Sequence, residues 1–240
     1  MIELVFLHLP KTGGSSILKA LHEIYGKEQV RHFERDECMD LNQKGLRIKD
    51  VLEQKIKVIH GHFLYEEIQD LLKRDQTILV TFFRNPTDRL ISNFNWWKHT
   101  LERNPNHPDR NRINETLETY ASRPETKNKM SRFLSGSTMD DFFFIGLLEN
   151  FEADFNALAK LLKWPKLPVF HEKNGTKIEG YETKEVNDSL RQKLTEINHL
   201  DWLWYKKAIA ISNQTQELSS RENYGIDKKE RKSSDRSLEY

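Results

Sequence analysis

The hydrophobic pattern breaks the chain into short apolar runs separated by amphipathic stretches. Ile2–Leu7, Ile56–His60, Thr77–Arg84 and Phe142–Leu147 read as strands. Each is short, rich in β-branched or aromatic side chains, and followed by Gly, Pro or Asn within a few residues. Thr77–Arg84 is apolar almost throughout, as suits a central parallel strand covered on both faces. The intervening stretches carry helical spacing. Ile17, Leu18, Leu21, Ile24 and Tyr25 recur on one face, and further helices are predicted over Tyr65–Lys73, Ile113–Ser122, Thr126–Leu134, Leu148–Leu162, Glu182–Ile197 and Asp201–Ile211. Asn85-Pro86 opens a helix running to about His99, with Asn as N-cap and Pro at the first helical position. Residues 27–55 show little pattern beyond a short helix over Leu46–Glu53. A short edge strand is expected at Pro168–His171, with loops over Glu102–Arg112 and Lys173–Gly180.

Strands alternating with helices predict an α/β fold with a central parallel sheet flanked by helices. One domain over residues 1–211 is expected, followed by a polar tail over 212–240 with few apolar anchors.

Composition changes this picture mainly by exclusion. The net charge of +1 supplies no global field for nucleic acid or a membrane surface. Cys38 is the single cysteine, which excludes an intrachain disulfide framework and cysteine-rich metal sites. No apolar run reaches the roughly 20 residues of a membrane span. The chain opens directly on its first strand, so a cytoplasmic protein is expected.

The densest candidate chemistry lies between the first strand and its helix. Lys11, Thr12, Gly13, Gly14, Ser15 and Ser16 place one cation, three hydroxyls and two glycines where a helix begins. Free N–H groups and the helix dipole there make an anion site. An ordinary βα turn with a surface lysine needs none of this enrichment. The loop is not a Walker A sequence, because Lys11 precedes both glycines. Arg84 ends the third strand run, and Ser92 follows about two turns into the next helix, so the pair is a candidate clamp for a second phosphate. His60 and His62 are two apart in an extended segment and share a face. Ligands of parallel sheets sit beyond the carboxyl ends of the strands. The Lys11 loop, the histidine pair and Arg84 all follow strands and are expected to converge there.

These residues carry a family resemblance. Pro10-Lys11-Thr12-Gly13-Gly14-Ser15-Ser16 resembles the 5′-phosphosulfate loop of sulfotransferases, and Phe83-Arg84-Asn85-Pro86-Thr87-Asp88-Arg89-Leu90-Ile91-Ser92 resembles their 3′-phosphate motif. His60-Gly61-His62-Phe63 resembles the catalytic His-Gly-His of the heparan sulfate 2-O-sulfotransferase branch. Asn128–Gly136 and Gly146–Glu152 are similar to further blocks. The resemblance implies a three-layer P-loop-like fold, the donor 3′-phosphoadenosine 5′-phosphosulfate, no metal, and a hydroxyl acceptor with carbohydrate favoured. It implies that His62 is the base, with His60 beside it or on the substrate, and that Lys11 stabilises the leaving group. It also points to Asn174, Gly175 and Thr176 as a third part of the nucleotide pocket. The chain is shorter than the Golgi enzymes and has no matching anchor.

Other readings remain at this level. His8 could join His60 and His62 on a metal. A nucleotide kinase would need a Walker A lysine and a Mg²⁺-binding acid after a strand, neither of which is evident. A binding module without catalysis would keep only the pocket. Glu66 and Glu67 are the next candidates for a base. Arg123, Lys127, Lys129 and Arg132 are candidates for an anionic acceptor or a solvated helix face. Trp97 is expected in the core, and at most one of Trp96 and Trp97 faces the site.

Overall fold

The structure is a computed structural model and describes residues 1–73, 76–165 and 186–215. Its centre is a five-stranded, wholly parallel sheet. In chain order the elements are β1 (Leu4–Leu7), α1 (Gly14–Tyr25), β2 (Val30–Phe33), α2 (Arg35–Gln43), β3 (Val58–Gly61), α3 (Tyr65–Leu72), β4 (Ile78–Phe83) and α4 (Pro86–Arg103). There follow α5 (Leu117–Ser122), α6 (Lys129–Phe133), β5 (Phe144–Leu147), α7 (Phe151–Leu161), α8 (Asp188–Ile197) and a last helix, α9, over 199–215. The strand order is β2-β3-β1-β4-β5.

Parity along the strands sorts the core into two layers. Val5, Leu7, Ile59, Leu79, Phe83 and Ile145 face one side, packed with Ile68 of α3, Phe133 of α6 and Tyr205 of α9. Leu4, Phe6, Val58, Val80, Phe82 and Phe144 face the other, packed with Ile17 and Leu21 of α1 and Phe155 and Leu158 of α7. β4 is an interior strand with its last five residues buried, as its continuous apolar run requires. A third cluster joins α4, α5 and α8 through Leu90, Trp97, Tyr120 and Leu194.

Two elements depart from the sequence expectation. Residues 27–55 hold an edge strand, β2, and a helix, α2, while a short 3-10 turn at Ile48–Val51 stands where a helix over Leu46–Glu53 is expected. Val30-Arg31-His32-Phe33 has an apolar residue only at each end, and the strand forms because it pairs with β3. At the other end of the domain, residues 212–215 continue α9. Ser212 is buried there, its hydroxyl donating to the Asp154 carboxylate at 3.0 Å. The strand expected at Pro168–His171, the loop at Lys173–Gly180 and the tail beyond 215 lie outside the described residues.

α4 begins as its sequence dictates. Asn85 Oδ1 accepts from the N–H groups of Thr87 and Asp88 at 3.1 and 3.2 Å, with Pro86 in the first turn. α6 is anchored from α9 instead: the Asp201 carboxylate accepts from Met130 N–H, Ser131 N–H and the Ser131 hydroxyl at 3.1, 2.8 and 2.7 Å. Among the described residues no helix is long and apolar enough to cross a membrane.

Candidate active site

The chain reverses its direction of winding at β1, whose neighbours are β3 on one side and β4 on the other. Such a switch point opens a crevice beyond the strand ends. The loop after β1 carries Lys11, the residue after β3 is His62, and the residue after β4 is Arg84. The sheet therefore gathers the candidates that the sequence scatters over residues 11–84.

The β1–α1 loop is shaped by two left-handed residues, Lys11 at φ 70° and Gly13 at φ 89°. A non-glycine residue in that region is strained, and Lys11 shares that conformation with Asn128 and Lys163 among the described residues. Thr12 is fully buried and its hydroxyl donates to the Leu9 carbonyl at 2.8 Å. Its donor is thus spent inside the turn, which corrects the expectation that it faces an anion; Ser15, exposed, and Ser16, half-buried, remain at the helix start. Gly14 donates its N–H to His8 Nε2 at 3.1 Å. A Cβ on Gly14 would lie 1.9 Å from the His8 ring, so only glycine permits this approach. The first turn of α1 holds no acidic residue.

Two cations meet beside this loop. Arg84 Nη1 donates to the Lys11 carbonyl at 3.3 Å. Burial and the nearby Arg84 guanidinium push the Lys11 pKa down, and burial lowers that of Arg84 against the pull of Asp88 and Glu149. A pair of like charges held half-buried at a helix start is an arrangement that an anion relieves. Lys11 Nζ also sits 5.7 Å from the ring centroid of Trp96, which is exposed, while Trp97 is buried. Ser92 is half-buried on α4.

The histidine pair divides by depth. Both rings lie on one side of β3 near His8, with ring-centroid separations of 5.0 Å for His8–His60 and 4.2 Å for His8–His62. His60 is 1% exposed, and its Nδ1 meets His32 Nδ1 of β2 at 2.9 Å. Of the two expectations for His60, that burial favours a place beside His62 over a contact with substrate. His62 is only partly buried, and its Nδ1 lies 2.9 Å from the His8 carbonyl oxygen. A carbonyl only accepts, so Nδ1 carries the proton and Nε2 keeps a free lone pair. Burial lowers the His62 pKa, opposed by the His8 carbonyl bond and by Glu34, and assisted by His32 and Lys129.

Several candidates are occupied elsewhere. Glu67 receives a two-pronged pair from Arg35 at 2.6 and 2.9 Å and caps α3 through Leu64 N–H at 2.7 Å, so it is not free to act as a base. Arg123 is buried, paired with Glu115, with its guanidinium 4.5 Å from the Trp97 ring centroid. Arg132 donates to the Pro124 carbonyl at 2.7 Å. Lys129 shares a face of α6 with Phe133, whose ring centroid lies 6.4 Å from that of His62 at a near-perpendicular angle, and Lys129 helps lower the His62 pKa. Among the described residues no group of three or more His, Cys, Asp or Glu is disposed to hold a metal. Asn174, Gly175 and Thr176 lie outside the described residues. His32 has no signal in the sequence because its edge strand has none, and the contact of His8 with Gly14 depends on how the β1–α1 loop folds back.

The family model for the sulfotransferase family matches residues 2–208. The chain belongs to that family. The match spans every element described above from β1 to most of α9. No curated protein matches the chain. Among solved structures it is similar to mouse sulfotransferase SULT7A1 complexed with PAP, at 17% identity and a TM-score of 0.42, covering 81% of this chain and 62% of that one. This sulfotransferase-family chain thus spans less than two thirds of that protein's length.

Proposed function

We propose that this protein transfers a sulfuryl group from 3′-phosphoadenosine 5′-phosphosulfate to an acceptor hydroxyl, with carbohydrate as the acceptor class. The observation that carries the reading is the fixed tautomer of His62. Its Nδ1–H is committed to the His8 carbonyl, which leaves the Nε2 lone pair free, and the residue follows β3, which pairs with the β1 strand that leads into the Lys11 loop. A base and a cationic donor loop held by neighbouring strands are what an in-line displacement needs.

In that displacement the acceptor oxygen attacks sulfur while its proton passes to His62 Nε2. The bond between sulfur and the 5′-phosphate oxygen breaks, and adenosine 3′,5′-bisphosphate leaves. Negative charge grows on the bridging oxygen and on the sulfuryl oxygens, where Lys11 and the α1 N-terminus stabilise it. Arg84 and Ser92 hold the 3′-phosphate. Exposed Trp96 beside Lys11 offers a face for a sugar ring, and the His-Gly-His sequence supports the same acceptor class.

The test pairs calorimetry with turnover. Adenosine 3′,5′-bisphosphate should bind without divalent metal and far better than ATP with Mg²⁺. Radiolabelled sulfate should pass from the donor to members of an acceptor panel in excess chelator. Preference for ATP with Mg²⁺ would replace the reading with a phosphotransferase; bisphosphate binding without turnover on any acceptor would leave a nucleotide-binding module.

A further inference from the structure

Behind the donor loop the structure leaves two buried ring nitrogens without a hydrogen-bond partner, His8 Nδ1 and His60 Nε2. Their protonation follows from what their other nitrogens meet. Gly14 N–H is a donor, so His8 Nε2 is a lone pair and His8 Nδ1 carries the proton. At the far end, His32 Nε2 lies 3.0 Å from the Glu34 carboxylate, which only accepts, so neutral His32 carries its proton on Nε2. His32 Nδ1 is then a lone pair, His60 Nδ1–H donates to it, and His60 Nε2 is left as an acceptor. His32 Nδ1 also lies 3.1 Å from the His60 carbonyl, which would favour an Nδ1–H tautomer of His32; the Glu34 contact favours the opposite tautomer and sets the direction of donation.

The two orphan nitrogens are therefore complementary: a donor on His8 and an acceptor on His60, on rings 5.0 Å apart and inclined by 31°. They are not bonded to each other, so the hydrogen-bond chain has two runs, each donating one way: Gly14 to His8, and His60 to His32 to Glu34. Bonds aligned head to tail strengthen one another in a low-dielectric interior.

We propose that His8 is a positioning residue for the transfer reaction, set in its Nδ1–H tautomer by the Gly14 N–H that its Nε2 accepts, and holding the donor loop through that bond. The proposal rests on the reading of the β1–α1 loop as the donor site. With the opposite tautomer, His8 Nε2–H would face Gly14 N–H donor to donor, and the first residue of α1 would lose its anchor. The same residue's carbonyl sets the tautomer of His62. One residue thus ties the donor loop to the proposed base.

Ring nitrogen NMR on the unliganded protein at pH 8 tests the chain directly. His8, His60 and His62 should read as Nδ1–H and His32 as Nε2–H. Glu34→Ala should turn His32 and His60 into tautomer mixtures. Calorimetry with adenosine 3′,5′-bisphosphate then tests the role. His8→Leu should weaken binding by about threefold to tenfold, the range of one hydrogen bond, and His8→Gln, which restores an acceptor near Nε2, should recover most of it. A His8 signal of Nε2–H type, or equal losses in the two variants, overturns the proposal. If His8→Leu does not fold, the tautomers and the Glu34→Ala response decide alone. Wild-type protein that shows these tautomers but ignores the bisphosphate sinks the donor-site reading instead, since the tautomers do not depend on it.

Discussion

His62 Nδ1 lies 2.9 Å from the backbone carbonyl oxygen of His8, and that one bond decides which ring nitrogen of His62 is left to meet an acceptor. The carbonyl belongs to the residue after β1, directly beside β3 in the sheet, so backbone pairing delivers it. No side chain has to be recruited to orient the base.

His62→Ala should lower turnover by roughly 10²–10⁴, the usual range for a general base, with bisphosphate binding unchanged. Because burial holds the His62 pKa below 6.5, the rising limb of kcat/KM against pH should lie below that value in wild type and vanish in the variant. Unchanged turnover would move the base elsewhere; Glu67, locked to Arg35, is a poor substitute.

Lys11 and Arg84 should separate kinetically although they touch. Lys11→Ala is expected to cut turnover more than bisphosphate affinity, since in the proposed mechanism its charge acts on the leaving group. Arg84→Ala should remove most of the preference for adenosine 3′,5′-bisphosphate over 5′-AMP. A hydrogen bond to a charged group contributes about 1.5–3 kcal/mol, so the preference should fall roughly tenfold to a hundredfold. Equal binding of both nucleotides by wild type would refute the 3′-phosphate assignment.

Gly14→Ala should be damaging out of proportion to its size. The added methyl would sit 1.9 Å from the His8 ring, so either the ring or the loop must move. Overpacking of this kind costs about 1–3 kcal/mol. Chemical denaturation should show that loss, and calorimetry should show weakened bisphosphate binding. Wild-type behaviour in both would mean that the His8–Gly14 bond is dispensable.

Asp201→Ala should destabilise the domain by about 3–5 kcal/mol, the typical cost of stranding a buried charge. Arg89 is fully buried with Asp201 the nearest acid, 3.9 Å away, and Asp201 also holds the start of α6 by three hydrogen bonds. A loss under 1 kcal/mol in urea unfolding would show that neither contact matters.

Stability should fall with acidification. Burial drives the pKa values of His8 and His60 well below 6.5. Below about 6.5 the unfolded histidines take up protons that the folded ones refuse, so the unfolded state binds more protons and gains. This stabilisation is complete above 6.5 and is lost as pH falls through the window between 6.5 and the lowered folded values. Each such histidine adds up to about 1.4 kcal/mol per pH unit there. His60→Phe should flatten the fall in Tm between pH 7.5 and 5.5; a slope equal to wild type would contradict the assignment.

Much of the fold was legible in the sequence. The apolar runs at β1, β3 and β4 mark interior strands, where burial on both faces forces a readable composition, and β5, though at the sheet edge, is legible because all four of its residues are buried. Asn85-Pro86 announces α4 because N-capping is local chemistry. β2 was not legible, since an edge strand needs few apolar residues and takes its form from its neighbour. His32 went unnoticed with it. Thr12 was legible as a hydroxyl, but its partner depends on how the Leu9 carbonyl is turned.

The sequence by itself determined that Lys11, His62 and Arg84 follow parallel strands, and hence that they meet at one end of the sheet. It also determined that His60 and His62 point the same way, because strand parity is a property of the backbone. It could not determine that His60 is sealed inside while His62 keeps a free nitrogen. Depth depends on what packs over each ring, and that cover comes from β2, the His8 ring and α6, whose positions are set by pairing across the whole domain. The tautomers follow from the same tertiary neighbours, since a ring nitrogen takes its proton according to whether a donor or an acceptor faces it.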